Sequence, residues 1–431
     1  MRRPRIVIVG AGFAGYQAAR ELSRKARGAA EVVLVNPNDY FLYLPLLPEV
    51  AAGTLEPRRV TVSLAGTLRG VRVVLGEVHG VDLAGRRVSY ADPEGRAGWL
   101  GYDRLLITVG SVNKLLPIPG VAEHAHGFRG MPEALFLRDH VNRQIALAAE
   151  TDDPLERAAR CTFVVVGAGY TGTEVAAQGV GYTDVLARQY GVARPRWLLL
   201  DVASRVLPTL DERLSATADR VLRGRGVDVR PGTSVREATA DGVLLDDGSF
   251  VGTRSLVWCV GVRPDPLVDD LGMPTEQGRV LVDEYLTVPG HPEVFACGDA
   301  AAVPDLTRPG ETTPMTAQHA VRQGRVAAHN IAASCGVGAR REYRHHDLGF
   351  AVDLGGLQAA ANPLRVPLAG PAAGVLTRGH HLASLPGNRA RVLTDWMLNA
   401  VLPRQSVQLG LVPEFAVPLD TASPETARLP G

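Results

Sequence analysis

Glycines at a fixed spacing occur twice in the chain, each time where a short apolar run meets a helical pattern. They are Gly10, Gly12 and Gly15 within IVIVGAGFAGYQAA, and Gly167, Gly169 and Gly172 within VVVGAGYTGTEVAA. In such a turn the first glycine permits unusual backbone angles, the second lets the main chain approach a diphosphate, and the third lets helix pack on strand. Amides and the helix dipole then stabilise the diphosphate. Two such turns predict two dinucleotides on one chain, and therefore electron transfer.

The residue that ends the strand after each turn usually contacts the ribose of the nucleotide. After the first turn it is Asn36, which can hydrogen-bond a hydroxyl but lacks the charge-assisted bond of a carboxylate. After the second turn it is Asp201, which favours NADH over NADPH because a carboxylate repels a 2′-phosphate. Arg205 follows, and two interpretations stay open for it: a contact to a 2′-phosphate or a solvated surface charge.

Each glycine turn lies inside a strand–helix–strand pattern of apolar, β-branched runs. The predicted elements are a strand at 5–10, a helix at 13–27 and a strand at 31–35, then a strand at 161–167, a helix from Tyr170 and a strand at 197–201. A set of short alternating strands follows each unit. We therefore predict an α/β fold with two Rossmann-like dinucleotide-binding domains, joined to a C-terminal α+β region that contains an amphipathic helix.

Composition narrows the class of protein. The 431 residues are 46% hydrophobic and 21% charged, with a net charge of +1, which suits a globular protein of two or three domains and gives no basic field for nucleic acid. The four cysteines lack the spacing of a redox pair or a metal site, so we predict no metal. Ile6 already begins the fold and no apolar run spans a bilayer, which predicts a cytoplasmic protein.

Further motifs carry a resemblance to a known family. With both glycine turns, the motifs TVGS (108–111), VGVRP (260–264) and VFACGDAA (294–301) resemble those of FAD-dependent pyridine nucleotide oxidoreductases with two dinucleotide-binding domains. Within that superfamily the chain is similar to the type II NADH:quinone oxidoreductases. The segments that carry this similarity are NDYFLYLPLLPEVAAGTLEP (38–57), GAGYTGTEVA, AQHAVRQGRVAAHNI (317–331) and PGNRARVLTDWMLNAV (386–401).

The resemblance implies FAD as the bound cofactor, NADH as co-substrate and a quinone as acceptor. In the superfamily the Gly-Asp pair, here Gly298 and Asp299, ends a strand, and the aspartate holds the ribityl chain of FAD. Gly110 and Gly261 are also expected to contact the cofactors. A helix from Thr316 would direct amides of Ala317 and Gln318 at the flavin, and Glu174 would face the nicotinamide, where hydride passes to flavin N5.

The resemblance also implies boundaries for the domains. We expect an FAD-binding domain from residues 1–120 and 280–343, an NAD(H)-binding domain from 121–279, and a C-terminal acceptor, membrane or dimer region from 344–431. The chain does not resemble the disulfide reductases of this superfamily, because no cysteine lies between Met1 and Arg160.

The chain departs from the family on the acceptor side. The family has a second glutamine four residues after the one here at Gln318, and this chain has Arg322. An arginine there suggests an anionic acceptor, unless Gln323 replaces it or Arg322 points to solvent. His319 is interpreted either as a packed helix residue or as a proton donor to a reduced acceptor. The alternatives to quinone reduction are a soluble enzyme that reduces a quinonoid or aromatic metabolite, and a flavin- and NAD-dependent redox sensor.

The sequence of the C-terminal region allows two interpretations of what it contacts. Glycine-rich strands are expected to about Leu385, followed by an amphipathic segment at 391–402 and a loosely held Pro-rich tail. The apolar stripe of that segment is interpreted either as a contact with the inner face of the cell membrane or as a buried face that packs on a domain or forms a homodimer.

Overall fold

A computed structural model describes residues 3–346, 348–404 and 406–419. The strands are β1 Arg5–Val9, β2 Glu31–Asn36, β3 Tyr40–Leu42, β4 Thr61–Ser63, β5 Val71–Leu75, β6 Glu77–Asp82, β7 Arg87–Ala91, β8 Ala97–Gly101, β9 Arg104–Ile107, β10 Ser111–Asn113, β11 Ala125–Gly127, β12 Thr162–Val166, β13 Arg196–Asp201, β14 Val227–Pro231, β15 Val235–Thr239, β16 Gly242–Leu245, β17 Phe250–Gly252, β18 Ser255–Trp258, β19 Val262–Pro264, β20 Thr275–Glu276, β21 Arg279–Leu281, β22 Thr287–Val288, β23 His291–Ala296, β24 Ala301–Ala302, β25 Ala351–Asp353, β26 Ala359–Ala361 and β27 Leu368–Gly370.

Helices alternate with these strands in the manner of α/β proteins. They are α1 Phe13–Lys25, α2 Leu47–Ala51, α3 Pro57–Val60, α4 Leu64–Thr67, α5 Val121–His124, α6 Met131–Glu150, α7 Pro154–Arg160, α8 Tyr170–Tyr190, α9 Glu212–Arg225, α10 Ala317–Ser334, α11 Pro371–Ser384 and α12 Arg389–Val401. Within the described residues, no helix has the length and apolarity needed to cross a membrane.

The first compact unit, called unit 1, comprises the described residues of Met1–Leu42, Thr61–Val112 and Val262–His346. Its main sheet has the order β22-β23-β9-β1-β2-β5, in which β1 runs parallel to both β2 and β9. Strand β1 reads RIVIV and is buried almost throughout, as expected for a central parallel strand with both faces covered. Helices α1 and α10 approach closely, since a Cβ at Gly324 would lie 2.3 Å from the Ala14 carbonyl oxygen.

The second compact unit, called unit 2, comprises the described residues of Tyr43–Val60, Asn113–Gly261 and Asp347–Gly431. Its main sheet has the order β11-β18-β12-β13-β14, and every neighbouring pair in it is parallel. Trp197 stacks on Phe163 with 4.8 Å between ring centroids in the buried core. A Cβ at Gly179 would lie 2.3 Å from the Trp197 ring, so glycine lets α8 pack directly on the sheet.

The two predicted strand–helix–strand units are confirmed, and the strand order β9-β1-β2-β5 of unit 1 corresponds to β18-β12-β13-β14 of unit 2. The short strands β6, β7 and β8 in unit 1 and β15, β16 and β17 in unit 2 form the expected antiparallel sets. The expected three-domain division at 1–120 with 280–343, 121–279 and 344–431 stays a prediction.

Two expectations for the C-terminal region are wrong. Residues 371–384 form helix α11 rather than glycine-rich strands, because Pro371 suits a first helical position and Ala373, Thr377 and His381 recur on one buried face. The tail is not loose as far as Leu419, whose side chain is 1% exposed within the core of unit 2. Residues 420–431 of the tail lie outside the described residues. The expected amphipathic segment is confirmed as α12.

Candidate functional site

The first glycine turn joins β1 to α1, and each of its glycines meets a different steric demand. Gly10 has φ +92°, a left-handed conformation that glycine adopts readily. A Cβ at Gly15 would lie 1.9 Å from the carbonyl oxygen of Gly10, so no side chain fits there. Gly12 has φ −67° and ψ −168°, which any residue adopts, and a Cβ there would meet no atom within 4 Å. This open space lies at the N-terminus of α1, where amide groups favour a diphosphate.

The second glycine turn joins β12 to α8 and repeats this geometry. Gly167 has φ +102°, and a Cβ at Gly172 would lie 1.9 Å from the Gly167 carbonyl oxygen. Gly169 has φ −73° and ψ −167°, and a Cβ there would also meet no atom within 4 Å. The backbone roles predicted for the first and third glycines therefore agree with the geometry of both turns. Diphosphate binding stays a prediction.

Asn36 and Asp201, at the ends of β2 and β13, occupy equivalent positions. Oδ1 of Asn36 accepts a hydrogen bond from the Ala11 amide at 2.7 Å, and Oδ2 of Asp201 accepts one from the Ala168 amide at 2.6 Å. Each side chain therefore holds its own glycine turn. Nδ2 of Asn36 also donates to the carbonyl oxygen of Asn38 at 2.9 Å, which a carboxylate could not do. This bond gives a physical reason for an amide in place of the usual acid, and the ribose contacts stay predictions.

Arg205 is engaged within its own loop. Its Nη1 lies 3.0 Å from Glu212 Oε1, and its Nη2 donates to the carbonyl oxygens of Pro208 and Leu210 at 3.1 and 3.2 Å. Of the two open interpretations, these bonds favour a structural surface charge over a contact to a 2′-phosphate.

In unit 1 the predicted Gly-Asp pair lies beside the TVGS motif. Oδ2 of Asp299 accepts a hydrogen bond from the Ser111 hydroxyl at 2.6 Å, and Gly110, next to this serine, has φ +81°. Gly298 has φ +75°, and its amide donates to Gln323 Oε1 at 2.8 Å. The fold thus brings together residues that are far apart in sequence. Ser111 belongs to the TVGS motif, yet nothing local in the sequence indicates its bond to Asp299.

Helix α10 begins at Ala317, as predicted, with Thr316 as its N-cap. Oγ1 of Thr316 accepts a hydrogen bond from the His319 amide at 3.3 Å. One turn along the helix, Nη1 of Arg322 donates to Gln318 Oε1 at 2.5 Å. The two side chains that were expected on the acceptor side therefore bond to each other, and both are partly exposed.

His319 lies inside unit 1 rather than on its surface. Its Nδ1 is 2.8 Å from the Tyr343 hydroxyl, and its ring stacks on His345 with 4.0 Å between centroids. Gln323 is also buried, and its Nε2 donates to Thr313 Oγ1 at 2.9 Å. The alternative in which Gln323 replaces Arg322 is not supported, because both ends of this amide are engaged within unit 1.

Glu174 is the fifth residue of α8. The amide of Asp353, at the end of β25, donates to Glu174 Oε1 at 3.1 Å. Burial raises the pKa of Glu174 well above its usual range, this amide lowers it, and the neighbouring charges of Asp353 and Glu49 raise it further. Burial and the neighbouring charges therefore favour the protonated form of Glu174. Gly261, beyond β18 in the same unit, has φ +100°.

The amphipathic helix α12 is docked on unit 2 along one face and exposed along the other. Val392 and Trp396 are buried, and Nε of Arg59 lies 2.8 Å from Asp395 Oδ2. The exposed apolar side chains of the helix and its end are Leu393, Met397, Leu398, Val401 and Leu402, and we call these the α12 apolar face. One set of residues therefore packs on the unit while another remains uncovered, and contact of the uncovered set with a membrane or a second copy stays a prediction. Within the described residues, no three His, Cys, Asp or Glu side chains converge to hold a metal.

Known proteins are similar to this chain in sequence. The model of the pyridine nucleotide-disulphide oxidoreductase family matches residues 4–324. The type II NADH:quinone oxidoreductase Ndh of Mycobacterium tuberculosis is 31% identical over 426 residues, covering 94% of this chain and 89% of that protein. The type II NADH:quinone oxidoreductase of Staphylococcus aureus is 27% identical over 386 residues, covering 87% of this chain and 94% of that protein.

A solved structure shares the fold. NDH2 from Plasmodium falciparum, determined in complex with NADH, superposes with a TM-score of 0.85 at 18% identity, covering 94% of this chain and 100% of that one. The predicted two-domain dinucleotide-binding fold is confirmed by this likeness. Together with the family match and the mycobacterial relative, it leads to one assignment: the chain belongs to the pyridine nucleotide-disulphide oxidoreductase family and, within it, to the type II NADH:quinone oxidoreductases.

Proposed function

We propose that the protein binds FAD in unit 1 and NADH in unit 2, oxidises NADH and reduces a quinone. The observation that carries this proposal is the pair of open spaces beside Gly12 and Gly169, each at the N-terminus of a long helix. Both fit the diphosphate of a dinucleotide. The mycobacterial and staphylococcal relatives, which are NADH:quinone oxidoreductases, support the same activity.

In unit 1 the residues present fit FAD. The amides beside Gly12 would hold its diphosphate, Asp299 would hold its ribityl chain from an orientation fixed by Ser111, and the N-terminal amides of α10 at Ala317 and Gln318 would lie at its ring. Bound FAD supplies the redox chemistry, which accepts hydride from NADH and delivers two electrons to the acceptor.

In unit 2 the residues favour NADH over NADPH. Asp201 lies at the end of β13, where a carboxylate accepts bonds from ribose hydroxyls and repels a 2′-phosphate. Arg205 does not offset this repulsion, because its guanidinium is engaged by Glu212 and two carbonyl oxygens.

Reduction of a quinone by NADH takes up one proton from outside the two reactants, and Glu174 is the proposed donor. Burial raises its pKa and so favours its protonated form, and it lies one turn beyond the glycine turn proposed for NADH. His319 is the weaker choice, since Tyr343 and His345 already engage its ring.

Anaerobic stopped-flow mixing tests this function. Flavin-loaded protein is mixed with NADH and then with a panel of quinones, while the absorbance of oxidised flavin is followed. We expect rapid bleaching by NADH and rapid recovery with a lipophilic quinone. A flavin that NADH bleaches but no quinone restores would refute the proposal and leave the redox-sensor alternative.

One observation favours a second candidate, in which the acceptor carries a negative charge. Arg322 and Gln318 form a bonded pair one helical turn apart, so a guanidinium lies beside the residue expected at the acceptor. Guanidinium groups bind carboxylates and phenolates through charge-assisted bonds. A soluble quinonoid or aromatic acid is therefore the alternative acceptor.

Arg322→Gln separates the two acceptors. The kcat/KM for an anionic soluble quinone is expected to fall about tenfold, since a charge-assisted bond contributes about 1.5–3 kcal/mol. The kcat/KM for a neutral quinone should hold or rise. Arg325→Gln, at an exposed position on the same helix, is the matched control. Equal losses of kcat/KM for both acceptors would show that Arg322 does not discriminate between acceptors by their charge.

We further propose that the α12 apolar face contacts the membrane surface. The face is uncovered, with Val401 83% exposed, and Arg389 and Arg391 near the start of the helix are exposed as well. A helix with an apolar face and flanking arginines gains free energy from both the acyl region and anionic headgroups.

Val401→Glu should reduce cosedimentation with anionic phospholipid vesicles about tenfold, because burial of a valine side chain contributes about 1.5–3 kcal/mol. Leu155→Glu, at an exposed leucine on α7, is the control and should bind as the unchanged protein does. Unchanged vesicle binding by Val401→Glu, accompanied by loss of a dimer in solution, would assign the face to a homodimer contact instead.

A further inference from the structure

Unit 2 holds a second buried carboxyl group, which has no part in the activity described so far. Glu49, in the middle of the short helix α2, is 3% exposed. Nε1 of Trp396 donates a hydrogen bond to its Oε2 at 2.5 Å. An indole is a neutral donor, so this bond does not balance a negative charge. Ionisation of Glu49 in this position is therefore costly.

The charged groups around Glu49 come from several elements of unit 2. Burial is the largest influence on its pKa and Asp353 of β25 raises it further, whereas the Trp396 bond and the cations Arg378 and Arg404 lower it. The net result is a pKa of about 8. Pro48 and Ala51 of α2 line a small apolar cavity together with Leu137 and Val141 of α6 and with Val175 of α8, the residue after Glu174. Glu49 therefore carries a proton at neutral pH and loses it in mildly alkaline solution.

Glu49 and Glu174 influence each other's ionisation. A negative charge on Glu49 raises the pKa of Glu174, as does one on Asp353, whose amide bonds to Glu174. Two carboxyl groups coupled in this way do not ionise independently, because the charge of one makes the other a weaker acid. Glu174 is thus a stronger acid while Glu49 is neutral than when Glu49 is ionised.

We propose that Glu49 is a positioning residue whose neutral carboxyl group allows Glu174 to protonate the acceptor. The proposal rests on the proposed function, in which NADH, a quinone and one proton give NAD⁺ and a quinol. The hydride of NADH supplies two electrons and one hydrogen, Glu174 supplies the second hydrogen as a proton, and Glu174 later recovers a proton from water. Ionised Glu49 opposes the negative charge left on Glu174 and slows this step. Trp396 of α12 controls how readily Glu49 ionises.

Two substitutions test the proposal, because each is expected to change the pH profile in a different way. The rate at which a soluble quinone reoxidises the reduced flavin should fall above about pH 8 in the unchanged protein. Glu49→Gln keeps an acceptor for the Trp396 indole but cannot ionise, so this decline should disappear. Trp396→Phe removes a bond that lowers the pKa of Glu49, so the decline should move to higher pH. Reduction of the flavin by NADH, which needs no proton from Glu174, should keep its pH profile in both variants.

Infrared difference titration gives a readout that does not depend on turnover. The protonated carboxyl group of Glu49 should give a carbonyl band that titrates at about pH 8, is absent from Glu49→Gln and persists to higher pH in Trp396→Phe. Glu94→Gln, at an exposed site, should leave the band unchanged. Absence of the band, an unaltered alkaline decline in Glu49→Gln, or a decline that moves to lower pH in Trp396→Phe would each overturn the proposal. If the band is present and no quinone reoxidises the flavin at any pH, the proposed function fails and the role of Glu49 in it fails too, while the neutral state of Glu49 stands.

Discussion

Gly12→Val is expected to give a folded protein that is purified without FAD. The backbone angles at Gly12 suit any residue, and a Cβ at this position would meet no atom of the chain within 4 Å. The valine is therefore accommodated by the fold, at a cost of about 1 kcal/mol or less for a poorer N-cap. Its methyl groups would instead fill the open space at the start of α1, where the diphosphate is proposed to bind.

The expected loss of FAD affinity is about 10²-fold or more. Displacement of the diphosphate from the helix amides removes charge-assisted hydrogen bonds that contribute about 1.5–3 kcal/mol each. Flavin content of the purified protein and titration of the apoprotein with FAD measure the effect. Far-ultraviolet circular dichroism and thermal unfolding of the apoprotein should match those of the unchanged apoprotein closely. A variant that retains its flavin would place the diphosphate elsewhere.

Gly169→Val is expected to have the opposite phenotype, in which the protein retains FAD but no longer oxidises NADH at low concentration. The same argument applies in unit 2, because the angles at Gly169 suit any residue and the space beside it is open. The KM for NADH should rise about 10²-fold, since about 3 kcal/mol of binding free energy is lost. Flavin reduced chemically with dithionite should still be reoxidised by the acceptor at the normal rate.

Each of these variants serves as the control for the other, and Gly224→Ala controls for glycine substitution itself. Gly224 lies in α9 with no atom near its Cβ position, so alanine there should raise helix stability by up to about 1 kcal/mol and leave both affinities unchanged. If Gly169→Val also lost its flavin, the assignment of one nucleotide to each unit would be wrong.

The repeated unit could be predicted from sequence because its determinants are local. A glycine turn between an apolar strand and a helix involves residues within one short stretch, and the left-handed angles at Gly10 and Gly167 follow directly from that geometry. The start of α10 was expected from the family resemblance instead, and in the structure Thr316 is the N-cap of this helix.

The contacts that arrange the candidate site could not be predicted in this way, because they join residues far apart in the chain. Ser111 and Asp299 are 188 residues apart, Glu174 and Asp353 are 179 apart, and Glu49 and Trp396 are 347 apart. No periodicity or spacing links such pairs, and only the packed fold brings them into contact. Charged residues such as Glu49 and Asp353 are moreover expected at the solvated surface when only the sequence is considered. No local feature of the sequence indicates that they are buried.

Helix α11 shows a different reason for failure. Its sequence, PAAGVLTRGHHLAS, contains two glycines and a pair of histidines, which are weak helix formers. Tertiary packing overrides this propensity, because a Cβ at Gly374 would lie 2.2 Å from the carbonyl oxygen of Leu357. Glycine is therefore required for close packing at a position where local preference argued against a helix.

The burial of Leu419 has a consequence for synthesis on the ribosome. A nascent chain emerges from the ribosome with its N-terminus first, and domains usually fold as soon as they are complete. Neither unit is continuous here, since unit 1 extends to residue 346 and the core of unit 2 includes Leu419 beside Val166 and Trp258. The second sheet is therefore translated long before the side chain that completes its core. Final folding of unit 2 must wait until the ribosome has added this leucine and released it from the exit tunnel, and a translation product that stops short of it would expose part of that core to chaperones and proteases.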